Sequence, residues 1–261
     1  MDLGLKDKTA LVLGAGGGLG GGIARALTAE GARVALADRD IEAARRAADT
    51  IVSAGGVAAP FAVDLGNAQD RAALVGQVQA AFGAVDVLIN NSGGPPPTPA
   101  SGVAPAEWSR HFEAMVVALI DITDRVLPAM RARRWGRIVT STSSGVIAPI
   151  PNLALSNALR LSLLGWSKTL AREVAPDGVT VNVVVPGRIA TARTRQLDVA
   201  KAQREGKDAA AIEQASAATI PAGRYGSVEE YAAAVTFLAG TPASYITGSV
   251  LRVDGGLIAS L

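Results

Sequence analysis

The sequence predicts an α/β protein in which helices cover both faces of a doubly wound parallel sheet, giving three layers. Short apolar runs typical of buried strands alternate along the chain with segments of helical period. This alternation favours parallel strands joined by right-handed crossovers. The composition agrees, because 49% of the residues are hydrophobic and only 18% are charged, as a sheet buried on both faces requires. The length of 261 residues fits one large domain spanning residues 1–261.

Seven strands are predicted from apolar runs bounded by turn residues, at 9–13, 33–37, 57–63, 85–90, 137–141, 179–185 and 250–253. Six helices are predicted between them, at 23–30, 41–54, 68–82, 108–134, 153–174 and 228–238. Asn67 is the expected N-cap of the third helix. Residues 192–222 lack a regular pattern, and an irregular stretch of that length is typical of a lid, here expected over the substrate side.

Composition disfavours several classes of function. There is no cysteine and His111 is the only histidine, so neither a metal centre nor a Ser-His-Asp triad is expected. The net charge is +2 and no basic stripe is interleaved with aromatic residues, so nucleic acid is not an expected partner. No segment has the apolar length of a membrane span, and the first eight residues are too charged for a signal peptide. We therefore expect a cytoplasmic protein with a small-molecule substrate.

A glycine-rich loop, Gly14-Ala15-Gly16-Gly17-Gly18-Leu19-Gly20, lies between the first predicted strand and helix. Glycine lets the backbone turn tightly and approach a pyrophosphate, and the helix that follows points free N–H groups and its positive end toward the phosphates. A glycine loop alone is a weak signal, but its place between a strand and a helix strengthens it. We expect Gly14, Gly16, Gly18, Leu19 and Gly20 to bind a dinucleotide.

Asp38 ends the second predicted strand, about twenty residues after the loop. A carboxylate there can accept hydrogen bonds from the adenosine ribose, and it repels the 2′-phosphate of NADP. Arg39 follows directly and could partly offset that repulsion. We therefore predict NAD as the cofactor, with NADP as the alternative, and place Asp38 and Arg39 in its site.

Further motifs occur in order along the chain: Asp64-Leu65, Asn90-Asn91-Ser92-Gly93, Pro186-Gly187-x-Ile189-x-Thr191, Tyr245-Ile246-Thr247-Gly248 and Val253-Asp254-Gly255-Gly256. Together with Gly14-x-x-x-Gly18-x-Gly20 they resemble the short-chain dehydrogenase/reductase family over residues 5–258. The resemblance implies a Rossmann-type fold with a seven-stranded sheet and homo-oligomers, commonly tetramers. It also assigns cofactor contacts to Asp64 and Leu65 beside the adenine, to Asn90, and to Pro186, Gly187, Ile189 and Thr191 around the nicotinamide.

The same resemblance breaks at the proton-transfer residues, for which the family usually carries Asn, Ser, Tyr and Lys. Alignment without gaps places Met115, Ser143, Ser156 and Arg160 at these four positions, so only the serine matches. No tyrosine lies between Ser143 and Arg172, so no gap restores one. A serine hydroxyl is a far weaker acid than a phenol, and an arginine cannot release a proton at ordinary pH.

Three hypotheses follow for this altered set. In the first, an oxidoreductase uses Ser143, Ser156 and Arg160, with Arg188 as a second cation that stabilises an oxyanion. An acidic or activated substrate would suit such a site. Arg160 would also bind the ribose. In the second, the protein binds NAD without turnover, as a structural or sensor protein. A lyase like the halohydrin dehalogenases is the third, disfavoured because those enzymes keep the tyrosine and block the cofactor loop.

Structural alternatives compete with each of these roles. The Ser156 hydroxyl could bond a helix carbonyl one turn back, and Arg188 could form a surface salt bridge. Thr142 and Asn152 are further polar groups expected at the pocket. His111, one turn before Met115, could be a substitute acid, but we expect a partly exposed helix residue.

Overall fold

The computed structural model describes residues 1–260, and its seven strands form one parallel sheet. The strands are β1 (Thr9–Leu13), β2 (Arg33–Asp38), β3 (Val57–Ala62), β4 (Val87–Asn90), β5 (Gly136–Ser141), β6 (Val179–Pro186) and β7 (Val250–Val253). Their order across the sheet is β3-β2-β1-β4-β5-β6-β7. The predicted fold class and all seven predicted strands are confirmed, with ends that differ by two residues at most.

The helices are α1 (Gly18–Ala29), α2 (Ile41–Ser53), α3 (Ala68–Phe82), α4 (Pro105–Phe112), α5 (Ala118–Ala132), α6 (Ala154–Val174), α7 (Ala192–Glu205), α8 (Ala209–Ala218) and α9 (Val228–Ala239). Asn67 caps α3 as predicted, because its side chain accepts a hydrogen bond from the Gln69 N–H at 2.9 Å. Within residues 1–260, no helix combines the length and apolar character needed to cross a membrane.

Two apolar cores lie on opposite faces of the sheet, because successive side chains of a strand point to opposite sides. Leu11 and Leu13 of β1 face the core formed by α3, α5 and α6, whereas Ala10 and Val12 face the core formed by α1, α2 and α9. Tyr231 of α9 is fully buried in the second core. The predicted three layers are therefore present.

Strand order reverses between β1 and β4, and this reversal positions the site. From β1 the chain winds outward to β3 on one side, and from β4 it winds to β7 on the other. The loops that leave β1 and β4 therefore separate and open a crevice at the carboxyl ends of the strands.

Two segments differ from their predictions. The predicted helix 108–134 is α4 and α5 joined by a π-helical turn at Glu113–Val117, a local widening often found near functional sites. Residues 192–222, predicted to be irregular, contain α7 and α8, so that prediction was wrong. Helix α7 is capped by Thr191 and ends at Gly206, whose φ of 63° is the left-handed conformation that glycine favours.

Candidate active site

A cavity of about 890 Å³ lies at the carboxyl ends of the strands, where the strand order predicts a ligand site. Most of the residues predicted for the site line it: Gly14, Gly18, Leu19, Asp38, Arg39, Asp64, Leu65, Ser143, Ser156, Arg160, Pro186, Gly187, Ile189 and Thr191. Gly16, Gly20 and Asn90 do not line it, and their positions are described below.

The glycine loop is held in shape by contacts that leave no room for side chains. Gly14 has a φ of 60°, and a Cβ on Gly20 would lie 2.2 Å from the Gly14 carbonyl oxygen. A Cβ on Gly16 would lie 2.9 Å from the Ala43 Cβ. Gly16 and Gly20 therefore allow the loop to fold tightly, while Gly14, Gly17 and Gly18 form the cavity surface.

Helix α1 begins at this loop with its N–H groups free to bind an anion. Its N-cap is Gly17, which has no side chain to accept from the first turn, and the first turn carries no acidic residue. The open N-terminus and the positive end of the helix face the cavity beside Gly18 and Leu19. A dinucleotide pyrophosphate fits this cradle by its charge and its need for N–H donors.

Asp38 fixes the loop from the end of β2. Its Oδ2 accepts the Gly16 N–H at 2.8 Å, and its Oδ1 accepts the Asp40 N–H at 3.0 Å. The side chain is only partly buried and still lines the cavity. The carboxylate is thus held in one orientation at the cavity surface, and Arg39 beside it makes no ion pair within residues 1–260.

Two adjacent asparagines lie at the carboxyl end of β4, and of these only Asn90 was predicted as a site residue. Asn90 is fully buried, and its Nδ2 donates to Thr123 Oγ1 of α5 at 3.1 Å. It therefore ties β4 to a helix and does not reach the cavity. Asn91 lines the cavity instead, and its Nδ2 donates to the carbonyls of Leu13 and Gly14, both at 3.2 Å.

The loop after β6 forms another part of the cavity wall. Gly187 lies so close to the C-terminal segment that a Cβ there would be 2.5 Å from the Asp254 Cα. Thr191 caps α7 by accepting the Thr194 N–H at 3.2 Å. Ile189 is buried beneath this loop. The residues predicted here therefore form one surface of the cavity.

Arg160 is a buried cation without a carboxylate partner in the described residues. Its Nη2 donates to the carbonyls of Ser92 (2.9 Å) and Gly93 (3.1 Å), and its Nη1 to that of Ser141 (3.4 Å). Only 6% of its surface is exposed. Burial, reinforced by the positive charge of Arg193, lowers the pKa of Arg160 to about 10, so the guanidinium is charged at neutral pH.

Two serine hydroxyls lie in the same wall. The Ser143 Oγ accepts the Gly145 N–H at 3.2 Å, which leaves its own hydrogen available to a ligand. Ser156 is 7% exposed and its hydroxyl makes no hydrogen bond to any residue of 1–260, so the alternative of a bond to a carbonyl one turn back is wrong. Met115, in the π-helical turn, contributes an apolar side chain to the wall.

None of the three tyrosines, all in the described part of the chain, lines the cavity. The Tyr225 hydroxyl donates to Asp198 Oδ2 at 2.9 Å. Tyr231 is buried in the core formed by α1, α2 and α9, with its hydroxyl 2.8 Å from Ser141 Oγ. Tyr245 is fully exposed. Burial raises the pKa of Tyr231, so this phenol stays protonated.

Arg188 lines the cavity and forms the salt bridge that was the alternative to its role as a second cation. Its Nη1 is 2.6 Å from Asp198 Oδ1 and its guanidinium lies over the Tyr225 ring, so a carboxylate balances its charge. The prediction for His111 needs correction. His111 is 9% exposed and lies in the cavity wall; it is not a partly exposed helix residue. Its Nε2 lies 3.0 Å from Arg110 Nη2. Since arginine can only donate, the ring nitrogen accepts and is not positioned as an acid.

Sequence reasoning missed Arg193, the second residue of α7. It lines the cavity, and its Nη2 donates to the Pro95 carbonyl at 2.5 Å, which joins α7 to the proline-rich loop after β4. Thr191, two positions earlier, is a residue type typical of a helix N-cap. It could have indicated that a helix carrying Arg193 begins here. Asn152 was predicted correctly at the cavity, in a left-handed conformation with φ of 58°.

Comparisons with known proteins agree with this geometry. The family described as Enoyl-(Acyl carrier protein) reductase matches residues 14–258. The 3-oxoacyl-(acyl-carrier-protein) reductase FabG of Escherichia coli is 37% identical over 257 residues, 97% of this chain and 98% of that protein. Dehydrogenase/reductase SDR family member 4 of Bos taurus is 34% identical, over 98% and 89%.

A solved structure extends the likeness to three dimensions. L-sorbose reductase of Gluconobacter frateurii, in complex with NADPH and L-sorbose, has a TM-score of 0.95 and 31% identity, and the match covers 100% of both chains. The glycine loop, the strand order and these relatives lead to one conclusion. The chain belongs to the short-chain dehydrogenase/reductase family.

Proposed function

We propose that this protein is an NAD-dependent oxidoreductase that handles the substrate proton and charge with Ser143, Ser156 and Arg160 in place of a tyrosine and a lysine. An NAD(P)-dependent oxidoreductase of this family is what the relatives support. The altered site is the finer proposal. It rests chiefly on one observation: Arg160 and two serines line the cavity, and no tyrosine of the chain does.

NAD is proposed over NADP because of Asp38. The carboxylate is already fixed by two backbone N–H groups, so it cannot easily turn away from a 2′-phosphate. Arg39 is exposed and can move toward such a phosphate, which is why NADP binding is expected to be weaker and not absent. When bound, the cofactor supplies or accepts the hydride.

The chain's own residues would act on the substrate oxygen by charge and hydrogen bonding. Ser143 has a free hydroxyl hydrogen to donate, and the hydroxyl of Ser156 has no competing protein partner. Arg160 stays protonated at neutral pH and provides fixed positive charge near Ser92 and Ser141. Such donors stabilise developing negative charge without reorganisation, but they do not replace a phenol as a proton donor.

Helices α7 and α8 are proposed as the lid. Helix α7 lines the cavity along most of its length, from Ala192 to Arg204, and is joined to the facing loop through Arg193 and Pro95.

A single domain over residues 1–261 and a homo-oligomer remain part of the proposal. Exposed apolar side chains at the sheet edge, Tyr245, Val250 and Leu251, support an oligomer, and light scattering on the purified protein tests it.

Fluorescence titration with NADH and NADPH, followed by a hydride-transfer screen over ketones, imines and activated enones, tests the proposal. We expect NADH to bind more tightly than NADPH and activated substrates to be favoured over simple ketones. Binding without any turnover across the screen would support the alternative of an NAD-binding structural or sensor protein. No binding of either cofactor would contradict both.

A further inference from the structure

The cavity is electrically asymmetric. Its two carboxylates, Asp38 at the end of β2 and Asp64 after β3, lie on the same side as Arg39. Six cationic side chains line the rest: Arg110, Arg160, Arg188, Arg193, Lys201 and Arg204. No carboxylate lines this second part within the described residues. The end of the cavity beneath the lid is therefore positive.

Most of these cations have hydrogen-bond or ion-pair partners or are exposed. Arg110 binds Glu107 at 2.6 Å and Arg188 binds Asp198 at 2.6 Å. Lys201 lies 4.0 Å from Glu205, and Arg204 is exposed. Arg160 already donates to three backbone carbonyl oxygens. Among those of the six that are at least partly buried, Arg193 therefore has neither a carboxylate partner nor more than one hydrogen bond within the described residues.

Arg193 has one hydrogen bond, from Nη2 to the Pro95 carbonyl, for five N–H donors. The side chain is partly buried between α7 and the loop at Gly94, where a Cβ would meet its Nη2 at 3.2 Å. Burial lowers the pKa of Arg193, and its charge acts on Arg160. A partly dehydrated guanidinium with spare donors and no carboxylate is stabilised by an incoming oxyanion.

We propose that the substrate carries a carboxylate or phosphate group and that Arg193 binds this group at the lid end of the cavity. The inference rests on the proposed function, because it assigns the substrate class of the same cavity. Arg193 is then a specificity-determining residue that also holds α7 against the proline-rich loop.

Isothermal titration with matched probes tests this, with and without saturating NADH. The probes are glutarate against dimethyl glutarate, and glycerol 3-phosphate against glycerol. A charge-assisted, bidentate contact should favour at least one anion over its neutral partner by about 10-fold to 100-fold. Which anion shows the preference distinguishes a carboxylate substrate from a phosphate ester.

The variant Arg193→Gln should remove the preference and leave NADH affinity within about twofold, since glutamine keeps polarity but not charge. Arg195→Gln is the matched control, because Arg195 lies on the same helix, is exposed and does not line the cavity.

Equal binding of charged and neutral probes, or a preference that survives Arg193→Gln, would overturn the inference. If Arg193→Gln lowered the affinity for NADH as much as the affinity for the anionic probe, the guanidinium would be assigned to the cofactor phosphates instead. A wild-type protein that fails to bind NADH contradicts the proposed function, and the titrations without NADH still decide on the anion.

Discussion

Arg160 Nη2 lies 2.9 Å from the backbone oxygen of Ser92, so a side chain of α6 reaches across the cavity floor to the loop that leaves β4. This contact and those to Gly93 and Ser141 fix the guanidinium beside the two serines. Hydrogen bonds to backbone carbonyl oxygens hold the guanidinium in this position, and no carboxylate does so within the described residues. What Arg160 contributes can therefore be measured by removing it.

Arg160→Ala should weaken NADH binding and slow any hydride transfer by about 10-fold to 100-fold each, the cost of losing charged hydrogen bonds. Fluorescence titration and steady-state rates measure the two effects. Arg172→Ala is the control, because Arg172 is exposed on the last turn of the same helix. Unchanged binding and rates in Arg160→Ala would show that the assigned role is wrong.

Asp38→Asn should change cofactor preference. The variant loses the negative charge that repels a 2′-phosphate and part of the ribose contact, so NADH affinity should fall by roughly tenfold and the NADH-to-NADPH preference should shrink by at least as much. Titration of both cofactors measures this, with Asp49→Asn as an exposed control on α2. A preference that stays the same would remove Asp38 as its determinant.

Gly20→Ala should destabilise the protein by about 1–3 kcal/mol, since the new methyl group would lie 2.2 Å from a backbone oxygen that cannot give way easily. Gly17→Ala is the matched control, because a Cβ there meets nothing within 4 Å, and its free energy of unfolding should change by less than about 0.5 kcal/mol. Urea denaturation compares the two. Equal effects at both positions would contradict the tight loop.

His111 should make stability depend on pH. Burial, and then the charge of Arg110, lowers the pKa of His111, so the unfolded chain binds a proton near pH 6.5 that the folded protein takes up only at lower pH. The contribution of the neutral ring is therefore complete above about pH 6.5 and is lost as the pH falls through the folded pKa. Urea midpoints from pH 5 to 7.5 should decline less steeply toward acid in His111→Asn. Parallel slopes would show that the ring titrates normally.

The sheet could be predicted closely because parallel strands covered on both faces are nearly continuous apolar runs. The lid could not, because α7 buries only Asp198 and Ala202 and so has no apolar stripe of helical period. Thr191 and Gly206, which cap this helix, were the sequence features that remained to indicate a helix here. Helix α1 was predicted to begin five residues late, because glycines disfavour helix where the phosphate cradle requires them.

Within the site, residue types were predictable but partners were not. Asp198 lies ten residues beyond Arg188 in the chain, and nothing in the sequence pattern showed that the two would pair. Asn90 and Asn91 are adjacent, yet the alternation along β4 sends one side chain toward α5 and leaves the other at the cavity. Such choices depend on tertiary packing.

We propose that the reacting end of this cavity presents the hydroxyls of Ser143 and Ser156 and the guanidinium of Arg160, at the positions where the family resemblance implies a tyrosine and a lysine. The most direct test is the rate of NADH oxidation with a simple cyclic ketone by the wild-type protein and by the double variant Ser156→Tyr, Arg160→Lys. We expect a rate at least about 10²-fold higher in the double variant, which is the usual contribution of general acid catalysis. A wild-type rate equal to or above that of the double variant would contradict it.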